Sequence, residues 1–180
     1  VQYMKDNGYA YLSDGALVVD VKEEKDTKEI PPCMILKSDG ASLYNTTDLA
    51  TIMERMSLIK PDEMIYVVDK RQDLYFEQVF RCARKTKLVS PRVSLKFLGF
   101  GTMNGKDGKP FKTREGGVMR LADLINLIKE AGKEKLKGNK NIAEEDVEEI
   151  SSKVGLAALK YGDLSNQASK DYIFDIDRFA

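Results

Sequence analysis

Met64-Ile65-Tyr66-Val67-Val68-Asp69 is the stretch that decides the fold. It is apolar and rich in β-branched residues without polar alternation, which predicts a strand buried on both faces of a sheet. Lys60-Pro61-Asp62 separates this strand from a preceding helix, because the residue before a proline disfavours the helical conformation. A second helix is predicted after the strand, from side chains that recur on one helical face: Gln72, Phe76, Val79, Phe80 and Ala83.

The helix before this strand is predicted from apolar residues at helical spacing between Leu49 and Ile59. Thr46 or Thr47 is the predicted cap at its start. Residues 94–101 form the next predicted strand. Strands and helices that alternate at this spacing predict an α/β fold built on a parallel sheet.

The N-terminal part of the chain is predicted as short strands. Residues 8–21 form a hairpin with Ser13-Asp14-Gly15 as its turn. Residues 22–29 are charged at seven of eight positions and are predicted as a solvated loop. Cys33-Met34-Ile35-Leu36 follows as a short buried strand.

The C-terminal part is predicted as helical. Leu121, Leu124, Ile125 and Ile128 line one face of the first helix. Residues 133–140 are predicted as a basic connector. The second helix has a predicted apolar face made of Val147, Ile150, Val154 and Ala157 or Ala158.

Composition excludes several kinds of function. The 180 residues contain 29 Lys plus Arg, 29 Asp plus Glu and no histidine. A net charge of zero argues against a free-standing DNA-binding domain, since those are usually basic. Catalytic triads and zinc sites that need imidazole are excluded within this chain. The two cysteines, Cys33 and Cys82, are predicted to be free, buried thiols.

Tyr44 and Asp48 form the first candidate site. They are four residues apart, so they share a face if the helix begins there. A carboxylate beside a phenol suits a cationic ligand, because a guanidinium pairs well with a coplanar carboxylate. The alternative is that Asp48 only stabilises the positive end of the helix dipole.

Asp69-Lys70-Arg71-Gln72-Asp73 is the second candidate. It follows the carboxyl end of a buried strand, where open α/β sheets bind ligands. Gln72 opens the next helix and can present its amide there. The alternative is a charged connection without a ligand.

The third candidate is the glycine-rich loop at residues 105–117. Its basic residues are Lys106, Lys109, Lys112 and Arg114. Such groups stabilise charge that develops on a leaving pyrophosphate. The loop lacks the Walker A pattern. The alternative is a solvated hairpin tip.

Four groups of motifs follow one another along the chain. They are Ser38-Asp39-Gly40-Ala41-Ser42-Leu43-Tyr44 with Thr47-Asp48-Leu49-Ala50, Ile65-Tyr66-Val67-Val68-Asp69-Lys70-Arg71-Gln72 with Phe76-Glu77-Gln78-Val79-Phe80, Gly99-Phe100-Gly101 with Asp107-Gly108-Lys109-Pro110-Phe111-Lys112-Thr113-Arg114, and Gly155-Leu156-Ala157-Ala158-Leu159-Lys160-Tyr161 with Asp163-Leu164-Ser165 and Asp171-Tyr172-Ile173-Phe174-Asp175. In this order, over residues 9–180, they resemble the catalytic domain of arginyl-tRNA synthetases, which are class I enzymes.

The resemblance implies a Rossmann-type parallel sheet, the second half of the class I nucleotide-binding fold, followed by helices. Residues 1–36 would end an insertion and form an entry hairpin. Residues 37–174 would be the second half of the catalytic domain. Residues 175–180 would begin the connection to an anticodon-binding domain. The His-Ile-Gly-His motif of class I enzymes needs histidine, so we expect the chain to be an incomplete catalytic domain that lacks the first half.

The implied function is that of an arginine–tRNA ligase, which activates arginine with ATP and transfers it to tRNA(Arg) in protein synthesis. The chain alone is expected to be inactive. The alternative is a non-catalytic arginine- or nucleotide-binding module with the same fold. Arginine, ATP with Mg²⁺, tRNA(Arg) and the rest of the synthetase are the implied partners, and neither DNA nor a membrane is expected. No prosthetic group is implied, and the expected location is cytoplasmic.

The resemblance also assigns residues by position. Arginine would contact Tyr44, Asp48 and Gln72, with Asp48 on either the guanidinium or the α-amino group. ATP would contact Gly99, Gly101, Met103, Lys112 and Thr113. Lys109, Lys112 and Arg114 would be catalytic, in the loop that replaces the Lys-Met-Ser-Lys signature of class I enzymes. No protein metal site is implied.

Overall fold

A computed structural model describes residues 1–110, 117, 119–137, 139 and 141–175. The chain divides into two compact units, residues 1–99 and residue 100 onward. The domain boundaries predicted at residues 36 and 174 follow the family plan and stay a prediction. Within the described ranges, no helix combines the length and apolar character needed to cross a bilayer.

The first unit contains three helices and the strands of two sheets. Its elements are, in chain order, α1 (Gln2–Asp6), β1 (Tyr11–Ser13), β2 (Ala16–Val19), β3 (Cys33–Leu36), α2 (Tyr44–Leu58), β4 (Glu63–Asp69), a 3-10 turn (Lys70–Gln72), α3 (Asp73–Lys85) and β5 (Ser94–Phe100), which ends at the boundary. Strands β1, β2 and β3 form one antiparallel sheet, and β4 pairs with β5 in another.

The predicted N-terminal hairpin is confirmed. Ser13 pairs with Ala16 across the turn between β1 and β2. Asp14 and Gly15 have φ values of 49° and 81°. Positive φ at both central residues gives a turn whose twist matches the strands, and Asp-Gly is suited to it. Cys33 and Cys82 are free and buried, as predicted.

Helix α2 begins earlier than its predicted cap. Leu43 is the N-cap, so neither Thr46 nor Thr47 holds that position. The Thr46 hydroxyl instead accepts the Leu43 N–H at 3.2 Å and donates to the Ile35 carbonyl at 2.5 Å. A side chain three residues into a helix can satisfy the N-cap amide in this way. Thr46 therefore fixes the start of α2 against β3.

Strand β4 is exposed on one face, so the prediction of burial on both faces is wrong. Ile65 and Val67 are 52% and 64% exposed. On the other face, the Tyr66 ring packs on Phe76 of α3 at 5.0 Å, and Phe76 also contacts Phe97 of β5 at 5.7 Å. In the first unit α3 packs on one side of this strand pair, which leaves alternate β4 side chains exposed.

The loop at residues 22–29 is anchored at Asp26, contrary to the prediction of full solvation. The Asp26 carboxylate accepts two hydrogen bonds from Arg81 of α3, at 2.7 and 2.8 Å, and the Glu23 N–H at 2.8 Å. Its side chain is 6% exposed. The Arg81 bonds, followed by the Glu23 amide, lower the pKa of Asp26 to about 2.

We expect Asp26 to stabilise the fold in a pH-dependent way. A carboxyl group whose pKa is lower in the folded chain stabilises it above the unfolded pKa, about 4, and loses that contribution as the pH falls through about 2. The urea midpoint of Asp26→Asn should therefore lie below wild type at pH 7, and the gap should close between about pH 4 and pH 2. Glu24→Gln, in the same loop and exposed, is the control. A gap that stays constant with pH would contradict this account.

The second unit consists of a small parallel sheet and two long helices. Its elements are β6 (Met103–Asn104), α4 (Leu121–Leu136), a 3-10 turn (Glu144–Asp146), α5 (Val147–Leu164) and β7 (Tyr172–Ile173). Met103 pairs with Tyr172 and Asn104 with Ile173, and the two strands are parallel. The mixed α/β class with helices after the sheet is confirmed.

Two helical predictions in this unit need correction. Helix α4 continues to Leu136, so residues 133–136 are not part of a connector. The buried face of α5 consists of Ser151, Gly155, Leu159 and Gly162, whereas Val154, predicted to be core, is 50% exposed. A Cβ at Gly155 would lie 3.2 Å from Ile128 Cγ2 and 3.3 Å from the Lys129 nitrogen. The helices approach closely along small residues, and this close approach sets the buried face.

Candidate active site

Asp48 joins the first turns of two helices. It lies in the first turns of α2 and is half-buried. Its Oδ2 accepts a hydrogen bond from the Tyr75 hydroxyl of α3. Tyr75 lies three residues after Gln72, the N-cap of α3. The first predicted site is therefore joined to helix α3 two residues after the end of the second predicted site, at Asp73.

The core fixes the position of Asp48. Leu49 is next to it and 3% exposed, and Ile52, one turn further, is fully buried. Val79 of α3 is buried in the same core. Core packing of Leu49 and Ile52 therefore fixes the backbone that carries Asp48, and the hydrogen bond from Tyr75 fixes its carboxylate. Such support gives a binding group a defined orientation before any ligand arrives.

Tyr75 is a hydrogen-bond donor at neutral pH. Burial raises its pKa far above the ordinary value, and the hydrogen bond to Asp48 and the charge of Asp48 raise it further. Burial also raises the pKa of Tyr66, although the nearby Arg55 guanidinium opposes this. Arg55 lies over the Tyr66 ring at 5.8 Å from its centre. The phenol of Tyr75 therefore stays protonated and neutral beside the carboxylate.

The carboxylate of Asp69 is bonded to Arg71 in the turn that follows it. Its Oδ1 accepts the Arg71 backbone N–H at 2.8 Å and Nε–H at 2.9 Å, and its Oδ2 accepts Nη2–H at 2.6 Å. These bonds lower the pKa of Asp69 to about 2. Gln72 is exposed, and its side chain makes no capping bond to α3. In this segment the guanidinium of Arg71 is therefore already paired with a carboxylate.

Gly99 brings the end of β5 against the chain that follows β4. A Cβ at this position would lie 2.9 Å from Lys70 Cα and 2.7 Å from Phe97 Cε1. Only glycine permits this approach without a shift of the backbone. Because Lys70 begins the turn that leads to Gln72, Gly99 lies beside the start of α3. The first unit thus places Gly99 beside the turn before Gln72, and a separate hydrogen bond joins Asp48 to Tyr75.

Tyr44 is exposed over 84% of its surface. Among the hydrogen bonds of the described residues, none joins it to Asp48. The predicted pairing of a phenol with this carboxylate does occur, but Tyr75 provides it. A sequence signal was available, since Tyr75 is three residues from Gln72 and shares its helical face. The side-chain pattern alone could not place that face opposite α2.

Gly101 and Met103, in the second unit, lie in tightly bonded backbone. The Gly101 N–H donates to the Ala168 carbonyl at 2.8 Å, and the Thr102 N–H donates to Asp171 Oδ1 at 2.7 Å. Met103 is in β6, and its side chain packs against the core that contains Leu124. Of the residues of the predicted nucleotide edge, Gly101 and Met103 therefore lie in backbone that is fixed by hydrogen bonds within the second unit.

Lys109 lies in a closed turn. The Gly105 N–H donates to the Lys109 carbonyl at 2.8 Å, and the Lys109 N–H donates to Asp107 Oδ1 at 3.0 Å. Gly108 has a φ of 71°, which suits glycine. The Lys109 side chain is exposed. Lys112, Thr113 and Arg114 lie outside the described residues, and their assignment stays a prediction.

Acidic and thiol side chains do not gather into a metal centre in the part of the chain that the structure describes. Many of the acidic side chains are instead paired with a basic one: Asp26 and Asp69 pair with arginines, and Glu63 pairs with Lys96. A carboxylate held by a neutral phenol is a better candidate for binding a cationic organic group than for forming a metal cage.

The family model for the catalytic domain of class I tRNA synthetases of the arginine type, tRNA synthetases class I (R), matches residues 1–176. The chain belongs to the arginyl-tRNA synthetase catalytic-domain family. Among relatives of this synthetase family, the arginine–tRNA ligase of Alkaliphilus oremlandii is 67% identical over 180 residues, all of this chain and 31% of that protein. The ligase of Agathobacter rectalis is 63% identical over 187 residues, 99% of this chain and 31% of that protein. The chain thus spans about a third of the length of these curated relatives.

Solved arginyl-tRNA synthetases share the fold. The enzyme of Plasmodium falciparum superimposes with a TM-score of 0.77 at 24% identity, over 99% of this chain and 29% of that one. The Thermus thermophilus enzyme also gives 0.77, at 16% identity, over 99% of this chain and 35% of that one. The Rossmann-type fold expected from the sequence resemblance is thereby confirmed.

Proposed function

We propose that this chain forms part of the catalytic domain of an arginine–tRNA ligase and carries its arginine site. The observation that carries the proposal is the hydrogen bond from Tyr75 to Asp48, which sets an oriented carboxylate beside the start of α3. Arginine offers two cationic groups, the guanidinium and the α-amino group, and either can pair with a carboxylate. Gln72 supplies an amide at the same helix start, and Tyr44 lies at the solvent side of α2.

ATP is the second proposed substrate, and it would bind as its complex with Mg²⁺. Gly99, Gly101 and Met103 are the proposed edge for the adenosine, and this proposal rests on their place in the motif that resembles the family. Lys109, Lys112, Thr113 and Arg114 are proposed to face the phosphates. Cationic groups in such a loop stabilise the charge of the leaving pyrophosphate.

The proposed first step joins the two substrates. A carboxylate oxygen of arginine attacks the α-phosphorus of ATP, the bond to the β-phosphate bridge oxygen breaks, and pyrophosphate leaves with its electron pair. A ribose hydroxyl of tRNA(Arg), the proposed acceptor, then attacks the carbonyl carbon of the adenylate. An ester bond forms, the bond to AMP breaks, AMP leaves with its electron pair, and the hydroxyl proton is released. Positioning of the reacting groups and stabilisation of phosphate charge are the contributions that this type of reaction requires of a protein.

A chimaera tests the proposal directly. In the Alkaliphilus oremlandii ligase, the 180 residues that match this chain at 67% identity would be replaced by this chain. We expect arginine-dependent ATP–pyrophosphate exchange, measured with labelled pyrophosphate, above that of the same ligase with the segment deleted. This chain by itself is expected to give no exchange, because it contains no histidine for the class I histidine motif.

Two results would contradict the proposal. A folded chimaera without exchange, which still binds arginine in equilibrium dialysis, would favour a non-catalytic binding module. A folded chimaera that neither exchanges nor binds arginine would show that the segment carries no arginine site.

A further inference from the structure

We propose that Tyr75 is a positioning residue for arginine, which orients Asp48 while leaving its negative charge for the substrate. The inference rests on the proposed function, since it concerns the same arginine site. It adds a residue that the motif comparison did not assign. Its basis is the difference between the partner of Asp48 and the partners of two other carboxylates in the same unit.

Two other aspartates of the first unit, Asp26 and Asp69, are each held by an arginine side chain and serve for comparison with Asp48. Arg81 holds Asp26 through two hydrogen bonds, and Arg71 holds Asp69 in the same manner. In both cases a guanidinium fixes the orientation and also neutralises the charge. Each of these two carboxylates is therefore already paired with a guanidinium, which is the group that the side chain of a bound arginine would offer.

Asp48 is held differently. Its partner is the neutral hydroxyl of Tyr75, and within the described residues it forms no ion pair. An ionised carboxylate has about four acceptor positions on its two oxygens, and Tyr75 uses one of them on Oδ2. The Oδ1 atom and the net negative charge remain for a cationic ligand. A phenol thus fixes the carboxylate without competing for its charge.

Tyr75 is itself fixed. Its ring packs edge-on against Phe76 with centroids 5.0 Å apart, and Phe76 lies in the aromatic cluster with Tyr66 and Phe80. The ring of Tyr75 is also part of the contacts around the main core. Because packing limits the ring, the direction of its O–H bond limits the rotation of the Asp48 carboxylate. Preorganised groups of this kind lower the cost of ordering the site on binding.

Four proteins, all made in the chimaera described above, test the inference: Tyr75→Phe, Asp48→Asn, the double variant, and Tyr3→Phe. Tyr3 is the matched control, since its hydroxyl is also part-buried and donates to the Thr86 carbonyl at 2.8 Å, away from Asp48. We expect Tyr75→Phe to raise the KM for arginine about ten-fold, equivalent to about 1.4 kcal/mol. The KM for ATP and the thermal midpoint should match those of Tyr3→Phe.

The double variant separates positioning from packing. If Tyr75 acts through the Asp48 charge, its removal should have less than about a two-fold effect on the arginine KM once Asp48 is asparagine. A full ten-fold effect in that background would overturn the inference. A thermal midpoint for Tyr75→Phe well below that of Tyr3→Phe would also overturn it. So would an arginine KM for Tyr75→Phe that equals that of Tyr3→Phe, if Asp48→Asn has a large effect on the same KM. An Asp48→Asn protein with unchanged arginine KM would instead overturn the proposed arginine site itself, and this inference with it.

Discussion

Asp48→Asn in the chimaera is expected to raise the KM for arginine by about thirty-fold or more while the KM for ATP changes little. Loss of one partner of a desolvated charge pair costs on the order of 2–5 kcal/mol, and 2 kcal/mol corresponds to about a thirty-fold change. Asp48 is half-buried, so the lower end of this range applies. Asparagine keeps the shape and an oxygen acceptor for Tyr75, so the change removes charge and little else.

Tyr44→Phe serves as the comparison within the same helix. It removes one hydroxyl, whose hydrogen bond would contribute about 0.5–1.5 kcal/mol, and Tyr44 is 84% exposed. Because the side chain is so exposed, the lower end of this range applies, and we expect the arginine KM to rise only about two-fold, equivalent to roughly 0.4 kcal/mol. Steady-state pyrophosphate exchange at varied arginine, with ATP saturating, measures both. An arginine KM within about two-fold of wild type for Asp48→Asn, roughly 0.4 kcal/mol, would reduce Asp48 to a residue that stabilises the helix start.

Gly101→Ala should disrupt the pairing of β6 with β7. A Cβ at this position would overlap the Lys170 carbonyl group and lie 2.6 Å from the Asp171 nitrogen. Overpacking costs about 1–3 kcal/mol when side chains can adjust. The obstructing atoms here belong to the backbone, so we expect a loss near the upper end, about 3 kcal/mol.

Amide hydrogen exchange of the 180-residue chain provides the measurement. The Tyr172 N–H donates to the Thr102 carbonyl at 3.1 Å, and the Phe174 N–H donates to the Asn104 carbonyl at 2.8 Å. Both amides should lose protection in Gly101→Ala. Gly132→Ala is the control in the same unit, because a Cβ there would lie at an ordinary 3.6 Å from the Ser151 carbonyl oxygen. If both amides stay protected in Gly101→Ala, the β6–β7 pair accommodates the added methyl group without losing stability, and the prediction is wrong.

Local patterns predicted the elements well where one short segment holds the whole signal. Ser13-Asp14-Gly15 gives a turn because aspartate and glycine tolerate the positive φ that the hairpin needs. The helical spacing around Phe76 and Val79 gave α3 and its buried face. Predictions of burial were wrong where the packing of a neighbouring helix determines which side chains are buried. Val154 is apolar and exposed, while Gly155 is buried, because helix α4 packs closely on the small residues of α5.

The candidate site shows the same division. Asp48 and Gln72 were proposed from their sequence motifs, because each lies at a helix start within a motif that resembles the family. The sequence did not indicate the hydrogen bond from Tyr75 to Asp48, since that bond depends on α2 and α3 packing side by side. Similarly, the motif around Asp69 could not reveal that Arg71 already pairs with its carboxylate.

The sequence by itself determined the α/β class, the family and the positions of the motifs, because these depend on residue order and on local backbone preferences. The tertiary structure decided which donor holds Asp48, which carboxylates are already neutralised, and which strand face stays exposed. These depend on contacts between residues such as Asp48 and Tyr75, which are 27 positions apart. A hydrogen bond depends on distance and angle in space, and spacing along the chain fixes neither for residues on separate helices.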